Sequence, residues 1–90
     1  MIRTRTNEDD PTIVALQALG VTLRDPDRAA RLLDLTGLDA DELRARASES
    51  ALLVAVLTFL EAHEPDLIAV ADELGLGPAD LVTARRSLES

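Results

Sequence analysis

Apolar side chains recur along this chain at intervals of three and four residues, the spacing that places them on one face of an α-helix. The repeat is clearest in two stretches near the C-terminus, in the sets Leu67, Val70, Ala71, Leu74 and Leu81, Ala84, Arg85, Leu88. An earlier stretch has the set Ala29, Leu32, Leu33 and Thr36. No stretch alternates apolar and polar residues as a half-buried strand does. The pattern therefore predicts an all-α fold.

Proline and glycine mark the ends of these stretches. Each proline stands just before an apolar stretch, at Pro11, Pro26, Pro65 and Pro78. Proline is favoured at the first position of a helix, where its missing N–H needs no partner, and Asp10 and Asp25 precede two of the prolines as N-caps. Three of the four glycines follow an apolar stretch, at Gly20, Gly37 and Gly75. There a left-handed C-terminal cap favours a residue without a Cβ atom.

These signals predict a single helical domain over residues 10–90, preceded by a flexible tail over residues 1–9. We expect a compact bundle of five to six short helices, over about 11–19, 26–36, 40–47, 49–63, 65–74 and 78–88. Asp39 and Glu42 open the third helix in a capping-box-like arrangement. The fourth helix, about 49–63, is apolar almost all round, which predicts the central buried helix.

Small residues form a narrow stripe along this fourth helix. They are Ala51, Ala55, Thr58 and Ala62. Such side chains let another helix approach closely. We expect that helix to belong to the same chain, and the first helix is the leading candidate; the alternative is a subunit interface, so a homodimer is possible.

Composition removes several classes of function. The chain has 17 acidic and 9 basic residues, a net charge of −8, and all the basic residues are Arg. Without Cys, it has no disulfide, thiol nucleophile or Cys-ligated zinc. The charge repels phosphate backbones and anionic membranes, and Phe59 is the only aromatic that could stack on a base.

The charge is unevenly distributed. Residues 1–47 carry nine acids and seven Arg, whereas residues 48–90 carry eight acids and two Arg. The acidic C-terminal half is either a solvated face or a docking surface for a basic partner. The longest apolar run, residues 51–60, is too short for a bilayer, which takes about 20 residues. With no secretory signal pattern at the N-terminus, we expect a cytoplasmic location and no membrane partner.

Residues 67–88 resemble a helix-turn-helix, with Ala71 as the small residue of the first helix and Gly75 as the turn glycine. In such a module the start of the second helix meets base edges in the major groove. The side chains there belong to Gly77, Pro78, Ala79, Asp80, Val82 and Thr83. None of them is the Arg, Lys, Asn or Gln that reads bases bidentately. DNA binding is therefore the alternative hypothesis, and a nucleic-acid partner is disfavoured.

Candidate chemistry centres on His63, the only histidine, which lies among Glu61, Glu64 and Asp66. A metal site usually needs three convergent ligands, and the helical neighbours of His63 at four residues, Phe59 and Leu67, are apolar. We expect instead a histidine near the end of the fourth helix, stabilised by the helix dipole. No serine stands in a catalytic pattern and no glycine-rich phosphate loop is present. We predict no catalytic, cofactor-binding or metal-ligating residue, no cofactor and no enzyme activity.

Several short strings carry a family resemblance that spans about residues 12–88. The most specific are Asp-Pro-Asp-Arg at 25–28 and Leu-Thr-Gly-Leu at 35–38. Through these strings the chain is similar to a family of small uncharacterised α-proteobacterial proteins, catalogued as a domain of unknown function. It departs from that family after Phe59-Leu60, around His63. The resemblance implies a bacterial, cytoplasmic, all-helical protein, and it carries no activity or site residue.

The leading hypothesis for function is a small non-enzymatic helical module that binds another protein of unknown identity. It follows from a folded, acidic chain without an assembled catalytic constellation. The alternative is a helix-turn-helix DNA-binding protein.

Overall fold

The computed structural model describes residues 10–90, and the predicted tail over residues 1–9 lies outside them. These residues form six helices and no strand, which confirms the all-α bundle. The helices are α1 (Pro11–Arg24), α2 (Pro26–Thr36), α3 (Ala40–Ala45), α4 (Ser50–Glu61), α5 (Glu64–Glu73) and α6 (Pro78–Glu89). None of them combines the length and hydropathy that a bilayer-crossing helix requires.

Aspartate caps start the first three helices as predicted. The Asp10 carboxylate accepts from the backbone N–H of Thr12 at 2.9 Å, and the Asp25 carboxylate from that of Asp27 at 2.9 Å. Asp39 and Glu42 form a reciprocal capping box, each side chain accepting from the other's backbone N–H at 2.8–3.0 Å. Each cap satisfies donors that the first turn leaves without partners.

Glycine ends two helices as predicted, but the prediction for Gly20 is wrong. Gly37 and Gly75 have φ of 72° and 74°, the left-handed conformation of a C-terminal cap. Gly20 lies inside α1, which continues to Arg24. The helix continues because Val21 and Thr22 extend its buried face, and the Thr22 hydroxyl donates to the Ala18 carbonyl at 2.7 Å.

The core forms where α1, α4 and α6 pack against one another. The buried side chains of α4 are Leu52, Leu53, Val56, Leu57, Phe59 and Leu60. This confirms α4 as the central apolar helix. α5 packs against α1, α4 and α6, whereas α2 packs mainly along the edge formed by α1 and α4.

The stripe of small residues on α4 does not pack against α1, so that expectation is wrong. Ala51, Thr58 and Ala62 are exposed and Ala55 is half-buried. The reason is helix geometry: at 3.6 residues per turn, the larger side chains of α4 occupy the opposite face, and they bury more apolar surface against α1 and α6. Most of the stripe is left facing solvent.

Candidate functional site

A buried carboxylate, Asp66, is the centre of the largest polar cluster in the described residues. It is 5% exposed and lies in the first turn of α5. Arg28 Nε donates to its Oδ1 at 2.9 Å, and Arg31 donates from Nη1 to Oδ2 at 2.7 Å and from Nη2 to Oδ1 at 3.2 Å. His63 Nδ1 lies 2.8 Å from Oδ2. Both oxygens of Asp66 are therefore shared between α2 and the start of α5.

Local helix geometry brings these four side chains together. Arg28 and Arg31 are three residues apart on α2, so they project from the same side of that helix. His63 is the N-cap residue of α5 and Asp66 is the third residue of the helix, so their side chains meet across its first turn. The Arg31 guanidinium also lies 5.7 Å from the centre of the Phe59 ring on α4, a cation–π distance.

The cluster keeps Asp66 ionised. The hydrogen bond from Arg31 is the largest cause and holds the pKa of the Asp66 carboxyl well below its usual range, helped by His63 and Arg28 and opposed by burial. The same hydrogen bond raises the pKa of Arg31. A buried carboxylate with several charge-assisted donors is stable only while it remains charged. The cluster therefore acts as an ionic link between α2 and α5.

His63 has a different partner from the one that the sequence indicated. α4 ends at Glu61, and the imidazole contacts Asp66 rather than acting only at the α4 terminus. Asp66 is a neighbour of His63 in the sequence, but the apolar residues four positions away gave no indication of this contact at three. Glu61, another acid of this segment, pairs instead with Arg85 of α6. Within residues 10–90, no group of three potential ligands is placed to hold a metal ion.

A second feature is a shallow concavity of about 250 Å³ between the end of α2 and α4, lined by Thr36, Leu38, Arg46, Ala51, Leu52 and Ala55. We call this concavity the α2–α4 groove. A separate concavity of about 690 Å³ is lined by Asp27, Ala30, Arg31 and His63.

Leu35 is the most exposed large apolar side chain in the described residues, at 64%. It follows Arg31 by one helical turn on α2, and Arg31 lies over Phe59 of α4. The Leu35 side chain is therefore open to solvent, and its burial against a partner would be favourable.

The predicted helix-turn-helix-like corner is present as two helices, α5 and α6, joined through the left-handed Gly75. At the start of α6 the Asp80 carboxylate accepts from the Gly77 N–H at 2.8 Å. Arg85 pairs with Glu61 and Glu89. The part of α6 that would meet a major groove therefore presents an acidic cap and exposed small residues.

Comparison with known proteins identifies the family. A family model described as "Protein of unknown function (DUF3572)" matches residues 8–90. The chain belongs to this family. The match confirms the resemblance to a domain of unknown function, and it covers all six helices of this DUF3572 chain. No curated protein and no solved structure matches the chain.

The two most specific strings of the family resemblance include helix caps and an ion-pairing residue of this DUF3572 chain. The string at 25–28 holds the α2 N-cap Asp25 and the ion-cluster residue Arg28, and the string at 35–38 holds Leu35, the Gly37 cap and Leu38. The two strings therefore lie at the start and at the end of α2. This helix contributes to both the ionic cluster and the groove.

Proposed function

We propose that this protein is a small non-enzymatic helical module that binds another protein. The observation that carries the proposal is exposed apolar surface on two helices, since Leu35 of α2 is 64% exposed and Ala51 of the apolar helix α4 is also exposed. Burying such a surface against a partner is favourable at roughly 25 cal/mol per Å² of apolar area. A cytoplasmic location in a bacterium belongs to the same proposal.

The charge distribution of α4 supports this proposal. Between Ser50 and Leu60 the helix carries no charged residue, although 29% of the whole chain is charged. Interface centres are depleted in charge and their rims are polar. Burial explains the apolar residues on the inner face of α4, but its exposed residues, such as Ala51 and Thr58, are uncharged as well.

The surroundings of His63 favour binding over catalysis. Its Nδ1 atom is engaged by Asp66, which is itself held by Arg28 and Arg31. A histidine–carboxylate pair becomes catalytic when it activates a nucleophile within hydrogen-bond reach. The concavity beside His63 is lined by Asp27, Ala30 and Arg31, none of which is a nucleophile of that kind.

Affinity capture together with light scattering tests the proposed function. The chain, immobilised through its C-terminus, should retain one partner at a stoichiometric amount from a native lysate of its source organism. A matched bait with Leu57→Ala, whose fold is weakened by the loss of a fully buried side chain, should retain less of the partner. Repeated captures without a stoichiometric partner, from a chain that is monomeric by light scattering, would contradict the proposal.

DNA binding is the second candidate, and the α5–α6 corner with its left-handed Gly75 is the observation that favours it. The acidic cap at Asp80 and the pairing of Arg85 weigh against it, because phosphate contacts dominate DNA affinity. Fluorescence anisotropy with labelled genomic fragments at low salt separates the two functions. We expect no binding at 50 mM salt; salt-dependent binding lost in Arg86→Ala would favour DNA.

A further inference from the structure

We propose that α2 and α3 together form a flap, residues 26–47, which opens as one unit while α1, α4, α5 and α6 stay folded, and that Asp66 is the latch that holds it closed. Such partial openings occur in segments with few buried apolar contacts, at a free energy below that of global unfolding. The flap is a property of the fold, so it does not depend on the proposed binding of another protein.

Apolar burial anchors the flap only weakly. Of the side chains that the structure describes, α2 and α3 contribute one fully buried apolar side chain each, Leu32 and Leu43, whereas α4 alone contributes four. α2 packs mainly along the edge formed by α1 and α4, and neither flap helix packs extensively against α5 or α6. Because buried apolar area is the main favourable contribution to folding, this segment should open before the interior does.

The polar contacts between the flap and the other helices converge on one residue. Within residues 10–90, each side-chain hydrogen bond that joins the flap to α1, α4, α5 or α6 ends on Asp66 of α5. The donors are the guanidinium groups of Arg28 and Arg31, one turn apart on α2. Loss of this one carboxylate therefore removes all of these bonds at once, as expected of a latch.

Both ends of the flap have a backbone suited to a hinge. Asp25 is the single residue between α1 and α2, and its φ of −99° and ψ of 116° are extended. At the other end, residues 46–49 join α3 to α4, and Glu49 precedes α4 without a side-chain cap bond. Hinges are commonly a few residues at the ends of elements, which take up the change in backbone angles. The flap can therefore move without unwinding α1 or α4.

Opening would uncover the side of α4 that faces the flap. Arg31 lies over the Phe59 ring, and Leu52 lines the α2–α4 groove. These two α4 side chains are 9% and 7% exposed, whereas Leu53 beside them is fully buried. The interior face of α4 packs against α1 and α6. The open form therefore presents apolar surface on α4 that the closed form hides, while the interior stays packed.

Native-state hydrogen exchange of the ¹⁵N-labelled chain at pH 7 tests the flap. Amides of residues 30–36 and of Leu43 should share one free energy of exchange, below that of amides in α4 and α6. Their exchange should also depend less on urea, because a partial opening exposes less surface than global unfolding. One common value and one urea dependence for all six helices would overturn the flap. A graded series along α2 would overturn it as well, since that pattern is fraying from a helix end.

Substitutions in two regions separate opening of the flap from global unfolding. Asp66→Asn should speed exchange of the flap amides roughly tenfold, because the arginines lose a buried charged partner. The exposed Asp72→Asn on α5 is the control and should leave them unchanged. Ala84→Gly inside α6 should speed exchange of α4 and α6 amides about two- to fivefold. It should leave the flap amides unchanged, since α6 remains folded in the open form.

Thiol labelling gives an independent measurement, because the chain has no Cys of its own. A thiol introduced by Leu52→Cys should react faster than one introduced by Leu53→Cys, which becomes accessible only on global unfolding. Adding Ala84→Gly should speed the reaction at position 53 but not at position 52. Equal rates at the two positions would contradict the flap.

Two further results would overturn the proposal. Unchanged exchange of the flap amides in Asp66→Asn would mean that Asp66 is not the latch. Acceleration of the flap amides by Ala84→Gly, to the same extent as the α6 amides, would show that the whole bundle unfolds as one unit.

Discussion

The interior of the bundle and its α2 edge are held together by different forces. At the interior, α1, α4 and α6 meet through aliphatic side chains, and Leu53, Val56, Leu57, Leu60 and Leu81 are fully buried. At the edge, α2 contributes one fully buried apolar side chain, Leu32, and the two arginines that bind Asp66. Hydrophobic burial is insensitive to protonation, whereas an ionic cluster depends on it.

A small acidic domain can therefore have an interior whose stability does not depend on protonation and one edge whose stability does. The two regions meet on α4, whose Leu57 face belongs to the interior and whose Ala55 face borders α2. The groove lies along this boundary. Substitutions in the two regions should therefore differ in the size and in the pH dependence of their effects.

The largest loss of stability is expected for a substitution in the interior of the bundle. Leu57→Ala should lower the free energy of unfolding by about 2–5 kcal/mol, because it removes a fully buried side chain and leaves a cavity. Urea denaturation followed by far-UV circular dichroism measures the loss. The control is Leu35→Ala on the exposed side of α2. A loss below about 1 kcal/mol for Leu57→Ala would show that the interior is not the main source of stability.

A substitution at the α2 edge should lower the free energy of unfolding by less than one in the interior. Asp66→Asn should lower the free energy of unfolding by about 1–3 kcal/mol near neutral pH, because Arg28 loses its buried carboxylate. The value should fall toward the lower end, since solvent screens the half-exposed Arg31. The exposed Asp72→Asn serves as the control in the same denaturation experiment. Equal small losses for both variants would mean that the cluster does not stabilise the edge.

The pH dependence should separate the two regions. The Arg31 hydrogen bond lowers the pKa of Asp66 in the folded chain, whereas an unfolded aspartate titrates near about 3.9. The contribution of Asp66 is thus fully present above about pH 4 and is lost as the pH falls through the folded value. The stability gap between wild type and Asp66→Asn should shrink from pH 6 to pH 2. For Leu57→Ala the gap should stay constant, and a parallel decline would contradict the comparison.

Glycine substitutions probe the backbone of both regions. Gly20→Ala should raise the free energy of unfolding by about 0.5–1 kcal/mol, because Gly20 lies in α1 and an added Cβ meets no atom within 4 Å. Gly37→Ala at the end of α2 should lower it by roughly 1–2 kcal/mol, because its φ is 72°. Thermal denaturation compares the pair. A shift of the same sign for both would contradict the assigned backbone conformations.

The smallest effect on stability is expected on the exposed surface of α2. Leu35→Gln should change the free energy of unfolding by no more than about 0.5 kcal/mol, since its side chain is 64% exposed. Urea denaturation of this variant, with Ile68→Gln as the control at another exposed apolar residue, measures the change. A drop above about 1 kcal/mol would show that Leu35 belongs to the packed interior.

Local signals in the sequence determined most helix ends. Asp10, Asp25 and the Asp39–Glu42 box begin helices, and Gly37 and Gly75 end them, because a cap acts on backbone groups within three or four residues. Gly20 shows the limit of such signals. Gly20 lies inside α1, and the residues after it, Val21 and Thr22, continue the buried face of the helix.

Contacts between distant segments were decided by the tertiary structure alone. Asp66 lies 38 residues from Arg28 and 35 from Arg31, and no local pattern indicates that they meet. The stripe from Ala51 to Ala62 could be read from the sequence, but whether a helix covers it depends on where α1 and α2 pack. The sequence by itself therefore determined the helices, their caps and an aliphatic core, since these follow from short-range sterics and periodicity. Which face of α4 was buried, and which carboxylate joined α2 to α5, was decided only when the helices packed and competed for the same apolar surface.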